Sequence, residues 1–392
     1  MFRSFFALIL LLLPILATAK QKICLNMIVK DESQVIKRCL DSVKPLIDYW
    51  VIVDTGSKDG TQGIIKAHLK GIPGELHERP WKNFGESRSE AYNLAKGKGD
   101  YILFMDADDI LTFDQSFTLP VLTHDQYNMW RGTEEFSYLK PQIVKGNLPW
   151  RWVGVTHEYL DCPQSHTTAI LEHVKYVSCE GGARSYDPEK FLKNVALLEE
   201  GLKKEPLNAR YAFYLAESYR DAGEKGKALE CFQRRVNMGN WNEEVFWSKF
   251  QIANLMHQLK FSSKVVVEAY KDAHEYRPHR CEPIYHLVDF YNNQGQYDKS
   301  YQALKAYLAL PKPKEKDFLF NEVWIDKYGL LFQLSICSYY VGKYQESIDT
   351  CNELLAMKDL PEDFRKLTEA NKVFPMEKLK SGSAPALKQK AQ

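Results

Sequence analysis

The sequence predicts an α/β domain on a mostly parallel, Rossmann-like sheet, followed by an all-α domain of helical repeats. Three observations carry that reading. Short buried-strand patterns alternate with helical ones between residues 23 and 105. Acidic residues end each of those strands. After about residue 187 only the helical period remains, with a recurring Gly-x-Tyr-x-x-Ser pattern.

At 392 residues the chain has room for two or three domains. Its 45% hydrophobic and 26% charged residues suit a chain that buries a core. Lys and Arg number 52 against 51 Asp and Glu, a net charge of +1, which argues against non-specific nucleic-acid binding. Eight scattered cysteines with no CxxC pair do not make a disulfide scaffold. The nearest thing to a metal-ligand spacing, Cys162, His166, His173 and Cys179, lacks the tight pairing of structural zinc.

Residues 1–19 read as a targeting segment. Arg3 precedes an apolar run from Phe5 to Ala17, and Ala17-Thr18-Ala19 has the form of a cleavage site before Lys20. As a helix that run rises about 20 Å, short of the ~30 Å hydrocarbon core. A cleaved signal peptide would place the protein in the secretory lumen or outside the cell. The alternative is an uncleaved membrane tether, whose orientation the balanced flanking charges leave open.

The first domain, residues 20–186, holds three nearly continuous apolar runs at Ile23–Val29, Tyr49–Asp54 and Tyr101–Met105, the signature of buried parallel strands. Helical patterns at Gln34–Val43, Thr61–Leu69 and Glu86–Ala95 supply the crossovers. Ligands of such sheets bind beyond the carboxyl ends of the strands. Those ends carry Lys30-Asp31-Glu32, Asp54-Thr55-Gly56-Ser57 and Asp106-Ala107-Asp108-Asp109. Convergent acids suit a divalent cation together with ribose and base donors, because hard cations take carboxylate oxygens. Signatures of rival nucleotide folds are missing: no G-x-G-x-x-G follows the first strand, and Gly223-Glu224-Lys225-Gly226-Lys227 lies in a helical region.

Val29-Lys30-Asp31-Glu32, Val51-Ile52-Val53-Asp54 with Gly56-Ser57-Lys58-Asp59-Gly60-Thr61, and Phe104-Met105-Asp106-Ala107-Asp108 resemble successive motifs of family 2 glycosyltransferases with the GT-A fold. Pro80 to Ala91 is similar to the segment before that family's metal motif. Asn83, Ser87 and Ser89 depart from its usual acid, alanine and asparagine, and Arg88 is the clearest match. The resemblance spans roughly residues 22–160. It implies that Asp54 holds the nucleobase, Asp106 binds ribose or supports the metal, and Asp108 coordinates Mn²⁺ or Mg²⁺ on a nucleotide-sugar diphosphate. Glu32 and Arg88 would complete the donor pocket. Family likeness around Asp54 points to a UDP-sugar.

Inversion needs a general base. The segment Trp150-Arg151-Trp152-Val153-Gly154-Val155-Thr156-His157-Glu158 is similar to a later motif of this glycosyltransferase subgroup. By that resemblance His157 is a further metal ligand and Glu158 the catalytic base, with Asp109, Asp161 and Glu180 as the next choices. Trp150 and Trp152 are read either as sugar-stacking rings or as core.

From residue 187 to 375 the pattern fits helical repeats. Gly295-Gln296-Tyr297 and Gly342-Lys343-Tyr344 open two copies, and Gly223 with Ala228 and Phe232 an earlier one; the 72-residue interval leaves space for one more. Small residues and inter-helix glycines resemble tetratricopeptide repeats, about four of them, with Pro311–Glu322 as an insertion. The junction motifs resemble glycosyltransferases that carry such a repeat domain, and Arg184 and Arg220 are read either as groove-lining or as surface ion pairs. Residues 376–392 read as a basic, disordered tail. The resemblance implies a metal-dependent, inverting transfer from a nucleotide-sugar to a protein, peptide or glycan acceptor held partly by the repeats, which also offer a surface to a protein partner. The alternative is a repeat scaffold with a vestigial transferase half; the retained Asp106, Asp108 and His157-Glu158 favour the enzyme.

Overall fold

The computed structural model describes residues 20–115, 117–133, 136–311 and 317–382. The N-terminal segment and the tail from residue 383 lie outside them.

The chain begins with β1 (Ile23–Val29), α1 (Ile36–Val43), β2 (Tyr49–Asp54), α2 (Thr61–His68), β3 (Gly74–Glu78), α3 (Phe84–Ala95) and β4 (Tyr101–Phe104). These four strands are parallel, in the spatial order β3-β2-β1-β4. With parallel partners on both edges and helices on both faces, β1 buries alternate residues on opposite sides, which explains its unbroken apolar run. Leu25 and Met27 pack with Ile36, Leu40 and Ile65 of α1 and α2, while Cys24 packs with Tyr92 and Ala95 of α3. The edge strand β3, Gly-Glu-Leu-His-Glu, carries one large apolar residue and so left no apolar run in the sequence.

Beyond β4 come β5 (Ile110–Phe113), β6 (Gln126–Gly132), β7 (Phe136–Lys145), β8 (Arg151–Val153), β9 (Tyr159–Asp161), β10 (Thr168–Ile170) and β11 (Val174–Val177). β7 runs antiparallel to both β4 and β6, and the sheet continues β4-β7-β6-β11-β5. The sheet is therefore mixed: parallel in its first half, mostly antiparallel in its second. β8 and β9 form a separate hairpin.

A 3₁₀ turn at Ala183–Tyr186 leads into helices: α4 (Lys190–Lys204), α5 (Ala209–Asp221), α6 (Lys225–Asn237), α7 (Asn242–Gln258), α8 (Ser263–Tyr276), α9 (Glu282–Asn293), α10 (Tyr297–Leu308), α11 (Leu330–Tyr340), α12 (Tyr344–Ala356) and α13 (Glu362–Lys380). α5/α6, α7/α8, α9/α10 and α11/α12 are four consecutive hairpins. Gly223, Gly295 and Gly342 turn three of them at positive φ. In each, the glycine N–H and the next N–H cap the preceding helix. Lys260, φ +61°, takes that place between α7 and α8, with Lys260 N donating to His257 O and Phe261 N to Met256 O.

Two features differ from expectation. α13 continues through Met376–Lys380, into the stretch read as a disordered tail, because Met-Glu-Lys-Leu-Lys are strong helix formers that outweigh Pro375. The Pro311–Glu322 insertion returns to the sheet, where β12 (Asn321–Glu322) pairs antiparallel with β7 and Leu139 N donates to Phe318 O at 2.8 Å. Leu319 sits in the helical core, with Phe136 of β7 and Phe320 packed against it, so apolar packing is continuous across the two domains. Among the described residues no helix is long and apolar enough to cross a membrane.

Candidate functional site

Two cavities, each of about 800 Å³, lie on either side of Arg88. The first opens at the carboxyl ends of β1 and β4, where β4 meets the antiparallel half of the sheet. Lys30, Asp31, Glu32, Thr55, Arg88, Asp106, Asp108, Asp109, Arg131 and Arg184 line it. The second lies between the sheet and the helices, with Lys140, Trp152, His157 and Glu158 on one wall and Arg210, Tyr214, Glu217, Ser218 and Arg220 on the other.

Arg88 is delivered by the start of the second turn of α3. Asn83, one of the departures from the family pattern, caps that helix by accepting from Glu86 N at 2.9 Å. The guanidinium bonds to Asp106 through Nη2 and ion-pairs Glu158 Oε1 through Nε at 2.7 Å. Arg131 of β6 grips the other Asp106 oxygen at 2.5 Å and Asp109 at 2.6 Å, its guanidinium 4.4 Å from the Tyr176 ring centroid. The Tyr176 hydroxyl accepts from Asp106 N at 2.8 Å. Burial alone would push the Asp106 carboxyl up, but Arg88, Arg131 and Lys140 hold it well below the usual range. Both its oxygens are thus engaged by arginines.

Asp108 is different. Among the described residues no other side chain hydrogen-bonds or ion-pairs its carboxylate, and burial followed by the Asp106 charge pushes its pKa up against a bond from its own backbone N–H. Its backbone carbonyl accepts from Arg38 at 2.8 Å. A Cβ at position 182 would sit 2.5 Å from Asp108 Oδ2, so only glycine fits there. Glu32, whose Oε2 accepts from Ala183 N at 3.3 Å, is pushed up to about 7 by burial, then by Asp108 and its acidic neighbours against that bond. Asp109 is pushed up to about 6 by burial, with Arg131 opposing.

Asp54 is fully buried beneath the cavity, and Thr55 takes the wall. Its Oδ1 accepts from Gly56 N and Ser57 N, both at 2.8 Å, while Oδ2 is buried without a partner.

His157 and Glu158, adjacent in sequence, diverge in space. Glu158 turns to Arg88. His157, at φ +50°, turns to α5, where its ring stacks on Tyr214 with centroids 4.2 Å apart. Desolvation, then the charges of Arg210, Arg184 and Lys140, push its pKa down to about 3, leaving the imidazole neutral at pH 7. His157 and Asp108 line different cavities, and among the described residues no group of three or more His, Cys, Asp or Glu side chains is placed to hold a metal. The expected Asp108–His157 ligand pair is therefore not assembled. A hexacoordinate cation that takes one or two carboxylates, and its remaining ligands from substrate phosphates and water, still fits Asp108 with Glu32 on the same wall.

Trp150 is core, donating to Lys145 O at 3.1 Å, whereas Trp152 lines the second cavity with Arg88 and Lys140 each 5.5 Å from its ring centroid. Arg184 lines the first cavity and sits 4.5 Å over the Phe84 ring; Arg220 lines the second while pairing with Glu217 and Asp221. Sequence reasoning missed Arg131 and Lys140, which lie in β6 and β7 where no motif marks them. Burial, then the Arg131 charge, pushes Lys140 down to about 8, with Asp106 and Glu158 opposing.

Residues 24–119 match the family model described as glycosyl transferase family 2, and that segment is a family 2 glycosyltransferase domain. The SPbeta prophage-derived glycosyltransferase SunS of Bacillus subtilis is 23% identical over 234 residues, covering 54% of this chain and 52% of that protein. An uncharacterized glycosyltransferase of Rickettsia felis is 23% identical over 234 residues, 58% of this chain and 79% of that protein. A TPR repeat-containing protein of Synechococcus elongatus is 36% identical over 99 residues, 25% of this chain and 23% of that protein. The chain thus spans about half the length of SunS and about a quarter of the Synechococcus protein. Among solved structures, MamA is similar at 13% identity and TM-score 0.34, covering 50% of this chain and 98% of that one.

Proposed function

We propose that this family 2 glycosyltransferase domain transfers a sugar, with inversion and with a divalent metal, from a UDP-sugar in the first cavity to an acceptor in the second. The observation that carries the reading is the unpaired Asp108 carboxylate on one side of Arg88 and Glu158 on the other. Asp108, with Glu32, would hold Mn²⁺ or Mg²⁺, which when bound supplies positive charge to the departing diphosphate.

The chain's own groups do the rest. Arg88 and Arg131 keep Asp106 ionised and hold it, Glu158 and Asp109 in fixed places, a preorganised arrangement that costs no rearrangement during reaction. Asp54 Oδ2, buried and unpartnered, supports recognition of a ring N–H such as that of uracil. Glu158, ion-paired to Arg88 and lining the second cavity, is suited to take the acceptor's proton. Trp152 Nε1 and Ser218 Oγ, both buried without partners on that cavity's walls, suit an acceptor that brings hydrogen-bonding groups of its own.

Calorimetry with UDP and Mn²⁺, followed by UDP release from a panel of UDP-sugars, tests the reading. Asp108→Ala should remain folded, lose the Mn²⁺ dependence of UDP binding and release no UDP. Full activity of Asp108→Ala, or of the wild type in EDTA, would refute it. Glu158→Gln should bind UDP normally and turn over roughly 10²–10⁴-fold more slowly, the usual contribution of general-base catalysis.

A further inference from the structure

We propose that α5 of the helical domain belongs to the catalytic apparatus: Arg210 and Tyr214 are positioning residues that hold the Thr156–Glu158 turn, and with it the Glu158 carboxylate, against the donor cavity. The inference rests on the reading of Glu158 as base and adds to it a role for the repeats beyond carrying a partner.

The turn needs holding. His157 lies at φ +50°, a left-handed conformation that is strained for a residue with a side chain and persists only where neighbours enforce it. The sheet domain enforces one side. Phe84 N donates to Val155 O at 3.2 Å, and Ser89 Oγ accepts from Trp152 N at 2.9 Å. Gly85 lies so close that a Cβ there would meet Gly154 O at 2.2 Å.

On the other side stands α5. Arg210 donates twice to His157 O, from Nε at 3.1 Å and from Nη2 at 2.9 Å. Tyr214, one helical turn further on, lies parallel to the His157 ring at an interplanar angle of 4°. The Arg210 guanidinium stands 4.8 Å over Tyr214 and 5.3 Å over Tyr159, so arginine, tyrosine and histidine close around the turn. Behind Arg210 stands Glu244, at 3.4 Å, which itself accepts two bonds from the fully buried Arg235 at 3.1 and 2.9 Å. A continuous polar chain thus runs from the helical core to the carbonyl that precedes Glu158. Because the peptide after His157 carries Glu158, a shift of that carbonyl swings the carboxylate away from Arg88.

The test uses the full chain and four variants: Arg210→Met and Arg210→Lys, Tyr214→Leu and Tyr214→Phe. Arg210→Met should fold, since Glu244 keeps both bonds from Arg235, and Tyr214→Leu preserves most of the apolar volume. Hydrogen exchange followed by mass spectrometry reads the turn without any substrate. Arg210→Met and Tyr214→Leu should speed exchange in residues 153–160 by about 10-fold or more, with residues 29–32 and 104–109 unchanged. UDP release from UDP-sugars should fall about 10- to 100-fold in kcat, the scale of misplacing a reacting group by about 1 Å, while KM for the donor and UDP affinity stay within about twofold. Arg210→Lys and Tyr214→Phe should restore most of both effects. Unchanged exchange at 153–160, or an equal rise across the donor cavity, would overturn the inference. A wild-type rate in Glu158→Gln would overturn the reading of Glu158 as base, while faster exchange confined to 153–160 in Arg210→Met would still uphold the clamp.

Discussion

Replacing Arg131 by Met removes the cation that two buried acids share. Its Nη2 lies 2.5 Å from Asp106 Oδ2 and 2.6 Å from Asp109 Oδ2, and its side chain is 12% exposed. Methionine fills most of the volume, so the cost is electrostatic. Breaking a buried pair by deleting one partner costs about 3–5 kcal/mol, because the other charge is left desolvated. Asp106 keeps Arg88, whereas Asp109 keeps only the bond from Cys179 N at 3.0 Å. Asp109 should therefore carry the larger share of the loss. With Arg131 present its pKa is already pushed up to about 6, mainly by burial, and removing the opposing cation must push it higher. A raised carboxyl pKa means the folded state binds the proton more tightly than the unfolded one, so protonation relieves the mutant. The deficit should be full above the mutant's pKa and shrink as pH falls toward 6, by up to about 1.4 kcal/mol per unit. Urea unfolding of both proteins at pH 8.5 and pH 6.0 reads this directly. A loss below about 1 kcal/mol at pH 8.5, or one that does not change with pH, would refute the electrostatic account of Arg131.

Two further outcomes follow from the placement of particular residues. His157→Leu should leave the affinity for UDP and Mn²⁺ unchanged in calorimetry, because its ring faces Tyr214 and not Asp108; a large drop in Mn²⁺ affinity would put the imidazole back on the metal. Lys260→Gly should stabilise the chain by about 0.5 kcal/mol, the left-handed penalty of roughly 1–2 kcal/mol less the entropy cost of glycine, visible as a small rise in Tm.

Much of the parallel half of the sheet was legible because burial on both faces forces continuous apolar strands. The acids that end β1, β2 and β4 therefore stood out against them. The antiparallel half was not. β6 and β7 have one face against the core and another against cavities and helices, so Arg131, Tyr138 and Lys140 interrupt the apolar pattern that would have announced a strand. Lys260 removed the glycine mark of the second helical hairpin, which only the 72-residue interval announced. The turn requires a left-handed residue, glycine supplies it in the other three hairpins, and here a lysine tolerates the same backbone while erasing the sign.

The resemblance set His157 on a metal beside Glu158 as base, and the structure parts the two side chains at one backbone angle. At φ +50° the chain reverses, sending the imidazole to α5 and the carboxylate to Arg88. The same reversal accounts for what the sequence hid about the domains. A strained turn beside Arg88 must be held from both sides, and one side faces the repeats. The strap from Asp317 to Glu322 supplies the rigidity this demands. Arg280, buried between Glu282 at 2.7 Å and Asp317 at 2.9 Å, also donates to Leu319 O, and Leu319 N donates to Glu243. With one end of the strap in that buried network and the other paired to β7, α5 cannot drift from the sheet without exposing Leu319 and unpairing Arg280. The helical domain is thereby tied to the strand that carries Lys140 and faces Glu158, and the His157–Glu158 turn is shaped by both domains at once.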